Sequence, residues 1–215
     1  MSTKTNGKTN TNGSLSTKSN GTSPTTPPKP KKHTLASLWF TLTLPVILWD
    51  ASYCFLRPRS MFGGDLHYIW KPYSIYQNVD LVYGVRTYEE AARGEGGGFT
   101  NAQSLMNLLE TGGNLCYLLG MNGFIGSPDL RMRWVLIGFL SAGLTLAKTV
   151  LYWAQEYYCN FCAIGHNDLK TLILFWVIPN GLWIVFPSFI VWTLGKDLVR
   201  WLDWAERKAM DVKGK

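Results

Sequence analysis

Two carboxylates stand inside stretches that are otherwise apolar. Asp50 lies near the end of residues 34–56, TLASLWFTLTLPVILWDASYCFL, and Glu110 lies in a second apolar stretch over 103–125. An ionisable residue in such a setting is costly and marks a functional site by default. Burial favours the protonated form of an acid, which can then donate a proton near neutral pH. Two acids in unlike surroundings can divide the roles of donor and acceptor. The polar residues around them recur at helical spacing. Gln103, Asn107, Glu110 and Asn114 follow steps of four, three and four, and Thr145, Lys148, Tyr152 and Gln155 follow three, four and three. Asp50, Tyr53 and Arg57 form a third set, and Trp176, Asn180, Trp183 and Pro187 a fourth. Each set occupies one stripe of a helix. Such stripes also glue membrane helices together, a role that explains a single Asn better than a buried acid.

The elements that position these stripes are membrane spans. Stretches near 34–56, 103–125, 132–155 and 171–195 reach the ~20 apolar residues that a bilayer crossing needs. Lys29, Lys31 and Lys32 precede the first, Arg131 and Arg133 lie between the second and third, and Lys196 and Arg200 follow the fourth. Lys and Arg near span ends mark the cytoplasmic side, so both termini are expected there. At about 1.5 Å per residue, Asp50 and Glu110 fall roughly 10 Å below the same, opposite surface. Lys148, Gln155, Asn180 and Trp183 belong to the same half of the membrane. Four stripes at matching depth predict one polar pocket with aromatic walls. Residues 57–102 are rich in Tyr and Trp and are expected to lie, partly helical, against the membrane face.

The composition agrees with an apolar body between basic flanks. Of 215 residues, 47% are hydrophobic and only 16% charged, against about 25% charged in average soluble proteins. Four cysteines exclude a disulfide-rich secreted module. The net charge of +7 resides in the flanks: residues 1–33 carry Lys4, Lys8, Lys18, Lys29, Lys31 and Lys32 and no acid. Nucleic-acid binding would need basic charge on a folded surface, so it is not expected. Residues 1–33 are too polar to bury a core and are expected to be disordered; they lack the apolar run of a signal peptide. Asn12 and Asn20 head glycosylation sequons that a cytoplasmic tail would leave unused. Residues 34–200 form the membrane domain and 201–215 a basic cytoplasmic tail. Within 198–210, Trp201 and Trp204 suggest a short amphipathic helix anchored at the membrane surface.

Several strings resemble a known family. They are Trp70-Lys-Pro-Tyr73, Asp80-Leu-Val-Tyr83, Met106-Asn-Leu-Leu-Glu110-Thr111, Val150-Leu-Tyr152 and Asn180-Gly-Leu-Trp183-Ile-Val-Phe-Pro187. In this order they make residues 34–200 similar to the emopamil-binding protein (EXPERA domain) family, in a divergent fungal-type form. The resemblance implies an all-α, four-helix transmembrane bundle of the endoplasmic reticulum. It implies an isomerase that moves a ring double bond of a sterol, Δ8 to Δ7, by protonation and deprotonation. Two further readings are an isomerase or cyclase of a specialised fungal terpenoid pathway, and a sterol-binding membrane protein without catalysis. Carried over, Asp50 and Glu110 shuttle protons and Asn180 orients them. Tyr53, Asp80, Tyr83, Asn107, Asn114, Lys148, Tyr152 and Trp183 are the expected substrate-binding residues. Trp183, Trp153 and Tyr152 would offer π faces to a carbocation. The chain departs from the isomerase at Val46, where the isomerase has His, and at Lys148 and Thr149, where it has small and acidic residues. No cofactor and no metal are expected. The expected partners are a sterol or terpenoid lipid and the membrane, with a homodimer open.

Cys159-Asn-Phe-Cys162, with His166 and Asp168 nearby, lacks the second CxxC of a structural zinc site. A structural role is expected, as a local disulfide or as free thiols. Cys54 and Cys116 read as packing residues. Gly94-Glu-Gly-Gly-Gly98 has no Lys-Ser/Thr pair and reads as a hinge. His67 reads as a structural loop histidine.

Overall fold

A computed structural model describes residues 26–29, 31–96, 98–127 and 130–213. Nearly all of the expected disordered tail, and both sequons, lie outside the described residues. Among those residues every regular element is helical. Four long rods dominate: α1 (Thr34–Phe55), α4 (Phe99–Met121), α5 (Arg131–Tyr158), and a fourth rod spanning Leu169–Lys213. The fourth is built from α6 (Leu169–Leu172), a π-type turn (Ile173–Val177) and α7 (Ile178–Lys213). Two short helices, α2 (Tyr73–Val79) and α3 (Val85–Ala92), lie in the connection from α1 to α4.

Three rods, Thr34–Phe55, Arg131–Tyr158 and Leu169–Lys213, are long and apolar enough to cross a membrane. The chain is therefore a multi-pass membrane protein. α4 is 23 residues long but interrupts its apolar run with Asn101, Gln103, Asn107, Glu110 and Asn114. It begins four residues earlier than the expected 103–125, directly after the glycine-rich segment. It stops where Gly123 and Gly126 take positive φ values of 79° and 73°, a backbone state that Gly adopts without a Cβ penalty. The fourth rod corrects a second expectation. Instead of breaking after Gly195 into a separate surface helix, it runs on to Lys213. Residues 196–213 contain no Pro and no Gly, so nothing there interrupts the hydrogen-bond ladder. Its start is fixed by Asp168, whose side chain accepts from the backbone N–H groups of Lys170 (3.0 Å) and Thr171 (3.1 Å), a standard N-cap.

The rods pack in sequence: α1 on α4, α4 on α5, and α5 on α7, while α1 and α7 barely meet. Small residues let the inner pairs approach closely. A Cβ at Gly120 would strike Trp134, and one at Gly138 would strike Tyr117. A core of Phe40, Tyr117, Val135, Ile190 and Leu194 fills the end where α1 begins. There the α1–α7 seam is closed by Trp39, stacked on Phe186 with ring centroids 4.5 Å apart and edge-on to Trp183 at 5.0 Å. Beyond it Asp197, nearly buried, accepts from the Lys31 backbone N–H (3.3 Å) and pairs with His33 (2.9 Å) and Arg200 (3.2 Å).

At the opposite end the seam stays open, and residues 57–96 fold into it. Short 3-10 turns at His67–Trp70 and Leu81–Tyr83 flank α2. An aromatic cluster of Tyr53, Trp70, Tyr73 and Tyr83 ties this connection to α1. Trp70 Nε1 donates to the Trp49 carbonyl (2.8 Å) and Tyr53 Oη to the Tyr83 carbonyl (3.1 Å). His67 bonds the Ser60 carbonyl (3.1 Å) and Ser74 Oγ (2.8 Å), a structural arrangement. Residues 57–96 are thus an internal plug for the open end of the bundle.

Candidate functional site

The plug and the four rods enclose a cavity of about 480 Å³, within the 300–1,000 Å³ typical of small-molecule sites. α1 contributes Val46, Ile47, Trp49 and Asp50, and α4 contributes Gln103 and Asn107. α5 supplies Lys148, Thr149 and Tyr152, the fourth rod Phe175, Pro179, Asn180 and Trp183, and the plug Pro72, Tyr73, Ile75, Tyr76 and Tyr83. Aromatic and aliphatic side chains form the rim along the α1–α7 gap, where Val46, Ile75 and Phe175 are also exposed on the outer face. The polar groups converge on the inner wall, from α1, α4 and α5.

Asp50 anchors that wall. Tyr73 Oη donates to Asp50 Oδ1 in a short hydrogen bond, and Asn107 Nδ2 approaches Oδ2 at 3.4 Å. Burial, and next the Asp50 carboxylate, push the Tyr73 hydroxyl far above its ordinary pKa, so it stays a donor. Lys148 Nζ donates to Asn107 Oδ1 and to Glu110 Oε2, the latter at 2.9 Å. Glu110 is 1% exposed and also accepts from Thr145 Oγ1 (2.8 Å). A continuous chain of polar contacts therefore runs Tyr73, Asp50, Asn107, Lys148, Glu110.

A second carboxyl supports the opposite wall. Asp80 is fully buried and accepts from Tyr152 Oη in a short bond, from Trp176 Nε1 (3.0 Å) and from the Val82 backbone N–H (3.2 Å). Burial lifts its carboxyl to about 6, against the downward pull of those hydrogen bonds. Asp80 thus caps the turn Leu81–Tyr83 and holds Tyr152 in place against the cavity.

Of the expected site residues, Asp50, Tyr83, Asn107, Lys148, Tyr152, Asn180 and Trp183 share the cavity wall. Asn180 Nδ2 donates back to the Trp176 carbonyl (2.9 Å), at the turn where the π-type segment meets α7. Four expected residues stand behind the wall. Glu110 lies beyond Lys148. Asp80 lies beyond Tyr152. Tyr53 is stacked on Tyr73 at 4.0 Å, and Asn114 accepts from Ser141 Oγ (2.8 Å) one turn deeper in the α4–α5 contact. Trp153 packs on Trp176 at 4.8 Å, away from the cavity. Tyr73 and Tyr76, not expected as site residues, also line the cavity. Tyr73 was marked only as the end of the string Trp70-Lys-Pro-Tyr73 and, with Tyr76, as an aromatic pair at i, i+3, on a segment whose docking into the bundle no local pattern specifies.

Cys159 and Cys162 form a disulfide. The backbone beyond it carries Ala163 and Ile164, which pack with Val79, Tyr152 and Trp176 under the cavity, and the Ala163 carbonyl accepts from the Leu81 N–H (3.2 Å). Glu156 lies beside the pair, its Oε2 accepting from the Ala163 N–H (3.2 Å). With both sulfurs bonded to each other, the cluster has no thiolate for a metal.

No protein-family model matches the chain, and searches of curated proteins and of solved structures likewise find no match.

Proposed function

We propose that this protein is a membrane isomerase that moves a ring double bond of a sterol or related polycyclic terpenoid by proton transfer. One observation carries the reading: a carboxyl, Asp50, fronts a largely apolar cavity among membrane-spanning helices and is bonded to donors on both sides. A rigid polycyclic lipid suits a cavity of this size with Trp49, Trp183 and Phe175 on its walls. In this reading Asp50 exchanges a proton with a ring carbon. Tyr73 and Asn107 hold its orientation, and Trp183 and Pro72 help keep water from the reacting carbon. The resemblance to the emopamil-binding protein family supports the same substrate class. It also supports four spans, with α4 as the fourth, and an endoplasmic-reticulum location, while the Lys and Arg residues near the span ends support cytoplasmic termini.

Expression in a strain that lacks sterol Δ8–Δ7 isomerase, followed by sterol analysis, tests the reading. Restored Δ7 sterols that vanish with Asp50→Asn support it. Persistent Δ8 sterols, with the protein present in the membrane, count against a Δ8–Δ7 activity and leave other polycyclic substrates to be tried. A second reading, sterol binding without turnover, is favoured by Glu110: its carboxylate is engaged by Lys148 rather than aimed at the cavity.

A further inference from the structure

The sign of the charge on the cavity wall selects among double-bond isomerisations, and here it points away from an isolated alkene. Lys148 lines the cavity, and its counter-carboxylate, Glu110, lies behind it. The ion pair is therefore a dipole with its positive end toward the substrate. Moving an unactivated double bond by acid generates positive charge on a ring carbon. An ammonium in the wall opposes that charge, and low dielectric magnifies the repulsion. The same ammonium stabilises negative charge on an oxygen. Two of its N–H groups are taken, by Asn107 Oδ1 and Glu110 Oε2. The third has no acceptor among the described residues and is available to a substrate.

Asp50 points the same way. In both of its hydrogen bonds it is the acceptor, from Tyr73 Oη and from Asn107 Nδ2. The carboxyl is thus arranged as a proton-taking group. Asn107 is shared: its Oδ1 accepts from Lys148 while its Nδ2 reaches Asp50. This amide fixes a base and a cationic donor next to each other on one wall.

From this geometry we infer that the substrate is an oxo-lipid, a polycyclic lipid with a ring carbonyl beside its mobile double bond, whose oxygen is held by Lys148 while Asp50 moves the proton. The inference rests on the isomerase reading of the cavity. Asp50 removes the proton between the carbonyl and the double bond. The C–H electron pair forms the new C=C of a dienolate, and the carbonyl π electrons shift to oxygen beside the ammonium. The dienolate collapses back to the carbonyl, and its far carbon takes the proton from Asp50. One C–H bond breaks and one forms, the double bond enters conjugation, and nothing is consumed.

The test uses the purified full-length protein in lipid nanodiscs with three probes: cholest-5-en-3-one, an 8-ene-3β-sterol and saturated cholestan-3-one. The variants are Asp50→Asn and the pair Lys148→Met with Glu110→Gln. That pair removes both buried charges together, so neither is stranded. The conjugated enone formed from the 5-en-3-one is read by its ultraviolet absorbance. Wild type is expected to turn over the ketone. Asp50→Asn should lose at least 10²-fold of that rate, and the double variant about 10²-fold, the usual effect of removing an oxyanion donor. Wild type should also bind cholestan-3-one at least tenfold more tightly than the matching alcohol, a preference the double variant abolishes. Carbonyl-selective, Lys148-dependent binding without any turnover would support the ligand class and sink the isomerase reading. Turnover of the 8-ene-3β-sterol with no carbonyl preference would overturn the oxo-lipid assignment and leave the isomerase reading standing. Ketone turnover unchanged in the double variant would overturn the role given to Lys148.

Discussion

Asp50 and Lys148 illustrate how differently two charges on one wall respond to substitution. Asp50→Asn keeps size and hydrogen-bonding capacity but cannot carry a proton. Turnover should fall by about 10²–10⁴-fold, the contribution of a positioned acid–base group, with the folded fraction unchanged by size-exclusion chromatography. Lys148→Met instead strands the Glu110 carboxylate at 1% exposure. Breaking a buried pair from one side costs about 3–5 kcal/mol, so the single variant should melt well below wild type in detergent. Adding Glu110→Gln should recover most of that loss; no recovery would mean the two side chains are not coupled. Asp80 supplies a pH dependence outside the spans. Its folded carboxyl is raised to about 6 by burial, against about 3.9 unfolded. Between those values the native state binds more protons than the unfolded one, so stability falls as pH rises through roughly 4 to 6. Asp80→Asn should remove that part of the slope in melting curves taken across the window. Asp50, Asn107, Lys148 and Asn180 were legible in the sequence because a charged or amide residue in an apolar helix has few explanations. Glu110 was legible as buried, but not its place behind Lys148. Which of two neighbouring groups faces a cavity depends on helix rotation of a few tens of degrees, below what spacing resolves.

Among the helices, packing at glycine separates positions that look alike in sequence. Gly138 faces the Tyr117 ring, whereas nothing lies within 4 Å of a Cβ on Gly112. Gly138→Leu should destabilise by about 1–3 kcal/mol through overpacking. Gly112→Ala should instead be neutral or stabilise by up to about 1 kcal/mol, the helix-propensity difference. Paired melting curves check the contrast, and equal effects would contradict the α4–α5 contact described above. The long rods could be read from length and apolarity, but their ends could not. α7 continues through Lys213 because residues 196–213 are helix formers, while the aromatic pair Trp201 and Trp204 suggested an interfacial segment. The plug was the least legible element. Tyr73 reaches Asp50 across 23 residues and Asp80 reaches Tyr152 across 72, and contacts at such separations leave no periodic trace.

Taken as one molecule, the chain is a ring of rods closed tightly at one end and plugged at the other. Trp39, Trp183, Phe186 and the Asp197 cluster seal the end where α1 begins. The cavity occupies the plugged half, and its apolar rim follows the seam where α1 and α7 part. If both termini are cytoplasmic, a glycosylation acceptor engineered near Phe62, which is 70% exposed, should be modified in microsomes, and one placed after Lys213 should not. In the proposed reaction Asp50 exchanges a proton with a ring carbon of a lipid held in that cavity. The most direct measurement is mass spectrometry of ketone and sterol probes incubated with the nanodisc-embedded protein in deuterated water. Over repeated turnover Asp50 exchanges the proton it carries with solvent, so wild type should place solvent deuterium at the ring positions flanking the migrating double bond, and Asp50→Asn should not. Equal deuterium incorporation by Asp50→Asn and wild type would contradict the account.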